Sequence, residues 1–130
     1  ADVGKAINPR SVRGQIEGGI VMALGMALTE EYIVEDGVPW STLLARYKMP
    51  SIKHTPHITS YIVEHPTAEG PYGAKGVGEL ASINTAPAIC NAIANATGIR
   101  VFSLPVDQDA LLRAIKAGEQ EVYTTWHDVK

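Results

Sequence analysis

The sequence predicts an α+β fold, with mixed layers of helices packed on a short-stranded sheet. Three observations predict it. Helical and extended segments are interleaved over short spans, the segments with β character are only about six residues long, and no strand–helix–strand series recurs as a doubly wound sheet requires. Hydrophobic residues make up 45% of 130 residues, the composition of a globular chain with room for one compact core.

Asn8-Pro9 opens the first helix. Asn accepts a backbone N–H at a helix start, and Pro is tolerated in the first turn because its missing N–H costs nothing there. Ile16, Ile20, Leu24 and Leu28 then recur every four residues as an apolar ridge. Gly14, Gly18, Gly19 and Gly25 lie inside this pattern, and each weakens the helix by roughly 1 kcal/mol relative to Ala. So many glycines imply that another backbone or a bulky ligand packs very close. Residues 30–35 have strand character, with Asp36-Gly37 as a turn. A polar stretch with Pro50 and Pro56 follows, and residues 58–63 (ITSYIV) read as a second strand. Residues 66–78 are glycine-rich without apolar periodicity and form a loop. Thr85-Ala86-Pro87 starts a helix to about Thr97, with Gly98 as its stop. Residues 99–104 read as a third strand. Asp107 caps a last amphipathic helix carrying Leu111, Leu112 and Ile115, which Gly118 ends. Residues 119–130 have no clear pattern and read as a tail, either disordered or engaged with another chain. The organisation is thus a structured segment, 1–118, and a tail, 119–130.

Charge and composition exclude several functions. The net charge is −3 and the basic residues do not cluster, so nucleic acid is not an expected partner. The most apolar run, residues 18–28, is far shorter than the ~20 residues of a membrane span. Cys90 is the only cysteine, which excludes an internal disulfide and any multi-cysteine metal site. It lies in an apolar helical stretch and reads as a small buried residue. His54 and His57 are three apart but lack a carboxylate or cysteine at matching spacing, so no side-chain metal ligand is assigned. Trp40 and Trp126 suit interface anchors.

The most informative segment is Gly70-Pro71-Tyr72-Gly73-Ala74-Lys75-Gly76-Val77-Gly78-Glu79. Its glycines let backbone approach a ligand closely. Exposed N–H groups beside a lysine suit an anion, and the carboxylate suits a proton acceptor. A phosphate-binding Walker loop fails, because Lys75 follows Ala74 and precedes Gly76. Gly76 to Ala81 fits the dinucleotide-binding glycine pattern, but residues 70–75 are not the apolar strand that pattern needs. From the residues alone, a structural loop with a solvated Lys75–Glu79 ion pair is equally open.

Lys75-Gly76-Val77-Gly78-Glu79 resembles the Lys-Gly-Val-Gly-Glu signature of the xanthine dehydrogenase/aldehyde oxidase family. Asp2-Val3-Gly4 with Asn8-Pro9, then Gly14-Gln15-Ile16-Glu17-Gly18-Gly19, resembles another segment of that family, and Tyr47-Lys48-Met49-Pro50 resembles a third. The matches keep the family's order and reach from about Asp2 to Gly118. The resemblance implies the C-terminal part of a molybdopterin-binding domain. It also implies hydroxylation, with water as the oxygen source, of a carbon in an N-heterocycle (purine-like) or an aldehyde. By resemblance, Glu79 is the catalytic base that takes the proton of a molybdenum-bound hydroxyl. Gln15, Lys75, Gly76, Val77 and Gly78 fall in the cofactor-binding set; Gln15 contacts the pterin and Lys75 positions the loop. The molybdenum cofactor is then shared with an upstream half of the domain, and [2Fe-2S] and FAD belong to partner domains or subunits. The sequence departs from some members in that Leu80-Ala81 follows Glu79 where they carry two prolines. The isolated chain is expected to be inactive, and the parent enzyme cytoplasmic. Two alternatives remain at this point: a noncatalytic remnant or assembly module of the same family, and a dinucleotide-binding domain.

Overall fold

A computed structural model describes residues 1–122. It is an α+β arrangement in which two long helices pack on each other and the strands are short. Helix α1 (Pro9–Leu28) starts where Asn8 accepts the Ser11 N–H at 3.1 Å. Its buried stripe comprises Ile16, Gly19, Ala23, Gly25 and Ala27. Most of these are small, so its neighbour approaches closely. At Gly19 an added Cβ would lie 3.2 Å from the Ala81 Cβ and 3.3 Å from the Ser82 N. Gly25 is covered instead by Glu30 and Pro50. The expected close approach of another backbone therefore occurs at Gly19, whereas Gly14 and Gly18 face open space.

Asp36 (φ 49°) and Gly37 (φ 79°) make the tight turn of a hairpin pairing β1 (Val34–Glu35) with β2 (Val38–Pro39). Both residues have positive φ, as the commonest two-residue hairpin turn demands. The strand read over 30–35 thus shrinks to its last two residues, with Trp40 N–H still donating to the Ile33 carbonyl at 2.8 Å just beyond the pairing. A single helical turn, α2 (Leu44–Tyr47), follows, closed by Lys48 in the left-handed region. The sequence carries no start signal for it.

The helix read from Thr85 is longer. Helix α3 (Leu80–Thr97) begins at Leu80 and runs through Pro87. An interior proline removes a backbone hydrogen bond and costs ~3 kcal/mol or more. Packing of α3 on α1 offsets that cost, so the local start signal at Pro87 is overridden. Gly98 ends α3 at φ 78°, as expected.

Strand β3 (Arg100–Val101) pairs in parallel with β4 (Glu121–Val122), and α4 (Gln108–Ala117) joins them. Asp107 caps α4 by accepting the Asp109 and Ala110 N–H groups at 2.9 and 3.0 Å. Ile99, Ala114 and Val122 form a buried cluster against Ala110 and Leu111. The segment read as a tail from 119 therefore contributes a strand and a core residue at its start. Residues 123–130, with Trp126 and most of that tail, lie outside the described residues. Of the strand read over 58–63, only Val63 pairs, in an isolated parallel bridge with Asp2. No helix among the described residues is long and apolar enough to cross a membrane.

Candidate functional site

The glycine-rich loop is built against the first five residues of the chain. Its turn is a short 3-10 helix, η1 (Pro71–Gly73), with Tyr72 and Gly73 at positive φ. Gly70 permits the turn, because a Cβ there would collide with the Ala74 carbonyl oxygen. On the N-terminal side, Lys5 N–H donates to the Gly73 carbonyl at 2.8 Å, and Lys75 N–H donates to the Val3 carbonyl at 3.0 Å. Gly4 sits between them at φ 66°, and a Cβ on it would run into the Gly73 carbonyl oxygen. Val3 N–H completes the stack by donating to Val63 O at 3.0 Å.

Asp2 is the charged centre of this stack. Its Oδ1 accepts the Gly4 N–H at 3.0 Å and the His65 N–H at 3.3 Å, and its Oδ2 accepts from Lys75 Nζ at 2.5 Å. These donors, Lys75 foremost, lower its pKa from 3.8 to about 2. Glu64 forms a second tie, accepting the Ala6 N–H at 2.8 Å beside Lys5 at 3.3 Å, and its pKa is lowered for the same reasons in that order.

The Asp2 shift has a testable sign. A depressed carboxylate stabilises the fold fully above its unfolded value and stops doing so as pH falls through its folded value. In the intact protein, the melting temperatures of Asp2→Asn and the parent should therefore converge as pH drops from about 4 to about 2. A gap that stays constant down to pH 2 would contradict this.

Beyond Lys75 the loop opens outward. Gly76 and Gly78 are exposed, and an added Cβ on either would meet nothing within 4 Å. The N–H groups of Gly76, Val77, Gly78 and Glu79 form no hydrogen bond among the described residues. Glu79 is the N-cap of α3, yet its carboxylate makes no capping hydrogen bond and no ion pair among the described residues. From α1, Gln15 Nε2 donates to the Gly78 carbonyl at 3.3 Å. Gly14 and Gly18 flank Gln15 on the open side of the same helix. The structure thus brings Gln15 and Gly76 to Glu79 together on one exposed face, across 63 residues of sequence. Such a face offers an incoming group backbone donors, one amide and one uncommitted carboxylate. Anions and acceptor-rich groups favour such donors ahead of a helix.

Lys75 lies at the edge of this face with its ammonium on Asp2, not on Glu79. Asp2 itself escaped sequence reasoning as a site residue. It stood out only as part of the Asp2-Val3-Gly4 run, and nothing local links it to a lysine 73 positions away. The glycine pattern from Gly76 to Ala81 does lead into a helix, but a 3-10 turn and one bridge residue precede it instead of a strand. His54 Nδ1 is hydrogen-bonded to the Ser51 hydroxyl at 3.0 Å, and Trp40 is stacked under Arg46 at 5.0 Å. Among the described residues no three His, Cys, Asp or Glu side chains gather closely enough to hold a metal ion.

Comparison with known proteins reveals consistent similarity. The family described as molybdopterin cofactor-binding domain matches residues 1–56. The chain is 41% identical over 118 residues to an aldehyde oxidoreductase of Megalodesulfovibrio gigas, covering 90% of this chain and 13% of that protein. It is 39% identical over 107 residues to a xanthine dehydrogenase molybdenum-binding subunit of Escherichia coli, covering 81% of this chain and 14% of the relative. In three dimensions it superposes on the crystal structure of quinoline 2-oxidoreductase from Pseudomonas putida 86 with a TM-score of 0.80 and 34% identity, covering 88% of this chain and 15% of that one. The chain therefore spans about one seventh of the length of these relatives.

Proposed function

Because the chain belongs to the xanthine dehydrogenase/aldehyde oxidase family, matching part of its molybdopterin-binding region, we propose that it carries the catalytic base, Glu79, of a molybdenum hydroxylase. One observation carries the reading. Glu79 stands at the N-cap of α3 with an uncommitted carboxylate, beside a glycine loop whose N–H groups are open. The test is turnover and molybdenum content of Glu79→Gln in the intact enzyme.

The residues present fit a molybdopterin-type cofactor. The open positions at Gly14, Gly18, Gly76 and Gly78 leave room where any larger side chain would project. Gln15 holds the loop through one amide hydrogen and keeps its carbonyl oxygen and second hydrogen for the cofactor. In this reading Gln15, Gly76, Val77 and Gly78 contact the cofactor, and Lys75 holds the loop in place. When bound, the cofactor supplies the two-electron oxidation. Glu79 contributes the proton acceptor as a water-derived oxygen attacks the substrate carbon, and a positioned base of this kind contributes about 10²–10⁴-fold. The substrate class is an N-heterocycle or an aldehyde, and the names of the relatives span both. Residues 1–118 form the C-terminal segment of the domain in this proposal. Its partners are the upstream half of that domain and carriers of [2Fe-2S] and FAD that take the electrons away. The single cysteine of this chain suits a reducing compartment, and the proposed enzyme is a cytoplasmic one.

Gly4 tests the loop's foundation. Gly4→Ala puts a methyl on the Gly73 carbonyl and a side chain in the left-handed region, which alone costs roughly 1–2 kcal/mol. The variant enzyme should melt lower and exchange the Lys5 and Lys75 amide hydrogens faster. Unchanged protection at both amides would show that the N-terminal segment does not brace the loop.

A further inference from the structure

We propose that Asp2 is a positioning residue for Glu79, acting through Lys75, so that the N-terminal segment sets where the catalytic carboxylate stands. The inference rests on the reading of Glu79 as the base. It names a residue that has no contact with the open face.

Three segments far apart in sequence converge on the one Asp2 carboxylate. Gly4 N–H comes from Asp2's own segment, His65 N–H from the segment after Val63, and Lys75 Nζ from the glycine-rich loop. The pair is half-exposed, with side-chain exposures of 35% for Lys75 and 40% for Asp2. A part-exposed ion pair contributes only modestly to overall stability. Its placement is informative. Glu79 lies four residues beyond Lys75 and one beyond Gly78. The loop carrying it has two anchors: Lys75, held by Asp2 and by its own N–H on Val3, and Gly78, held by Gln15. Between them the Gly76 and Val77 N–H groups form no hydrogen bond among the described residues, and the space around Gly76 is open. Without the Asp2 pair, the Lys75 backbone bond to Val3, the start of α3 and the 3.3 Å contact from Gln15 are left to fix the carboxylate. A misplacement of about 1 Å at a reacting group can cost 10²-fold in rate.

The test uses the intact enzyme with Asp2→Asn, Lys75→Met, their double variant, and Lys75→Arg. Asp2→Asn keeps an oxygen for the Gly4 and His65 N–H groups and removes only the charge that holds Lys75. Both single variants should lower kcat by about 10- to 100-fold with KM nearly unchanged and molybdenum retained. The double variant should be no worse than the worse single one, since both remove the same interaction. Lys75→Arg should restore most of the activity. Hydrogen exchange across residues 70–80 should quicken in both single variants. Additive losses would overturn the proposal. So would loss of molybdenum in Lys75→Met alone, which would mean that Lys75 touches the cofactor directly. A fully active Asp2→Asn beside an inactive Glu79→Gln sinks the positioning role and leaves the base intact. Fast exchange in Asp2→Asn beside a fully active Glu79→Gln sinks the base and, with it, the catalytic purpose of the pair, while the brace itself stands.

Discussion

Glu79→Gln in the intact, molybdenum-loaded enzyme should lose about 10²–10⁴-fold in turnover. Glutamine has nearly the same shape and cannot accept the proton. The carboxylate of Glu79 makes no hydrogen bond or ion pair among the described residues, so its removal breaks nothing that holds the chain together. The helix start survives as well, because Ser82 N–H donates to the Glu79 backbone carbonyl at 3.0 Å, not to its side chain. Molybdenum content and melting temperature should therefore match the parent while kcat collapses. That separation matters, since a variant that lost its metal would show only that residue 79 supports binding. Turnover like the parent's in a metal-loaded variant would end the case for Glu79 as the base, and would favour a noncatalytic role for this segment.

The second large effect concerns the 130-residue chain by itself. It should not melt cooperatively, and it should bind a dye that reports exposed apolar surface. Among the described residues, Val3 is the largest side chain buried to below 2%. By contrast Ile52 is 91% exposed, Tyr72 90%, Tyr61 75% and Leu44 71%. Each large apolar side chain left in water forgoes about 1.5–3 kcal/mol, and an entire domain is stable by only about 5–15 kcal/mol. A handful of such losses removes the margin. In the proposed assembly the rest of the enzyme covers these side chains, so coexpression with the upstream half of the domain should restore a cooperative transition. A sharp, reversible melt of the lone chain would show that its small-residue core suffices.

Much of this was legible in the residues alone, and for a common physical reason. The caps at Asn8 and Asp107, the Asp36-Gly37 turn and the stop at Gly98 each depend on neighbours within a few positions, so a local reading finds them. The same holds for Glu79 and the glycines before it, whose chemistry is set by residue type and whose family pattern is contiguous. What tertiary structure decided was partnership. Lys75 has an acid four residues away and another 73 residues away, and it pairs with the distant one because Gly4 and Val3 bring Asp2 against the loop. Helix α3 reaches back to Leu80 and makes Glu79 its N-cap, although Pro87 locally marks a beginning, because the flat surface at Gly19 lets α1 hold those first turns. The six-residue strands shrank to two residues or to a single bridge, since β propensity yields a strand only where another chain segment lies alongside to pair with it. Sequence determined which groups are present and which local shapes they prefer. Packing between segments far apart determined which of those groups meet, because that energy belongs to pairs of residues that no short stretch of sequence contains.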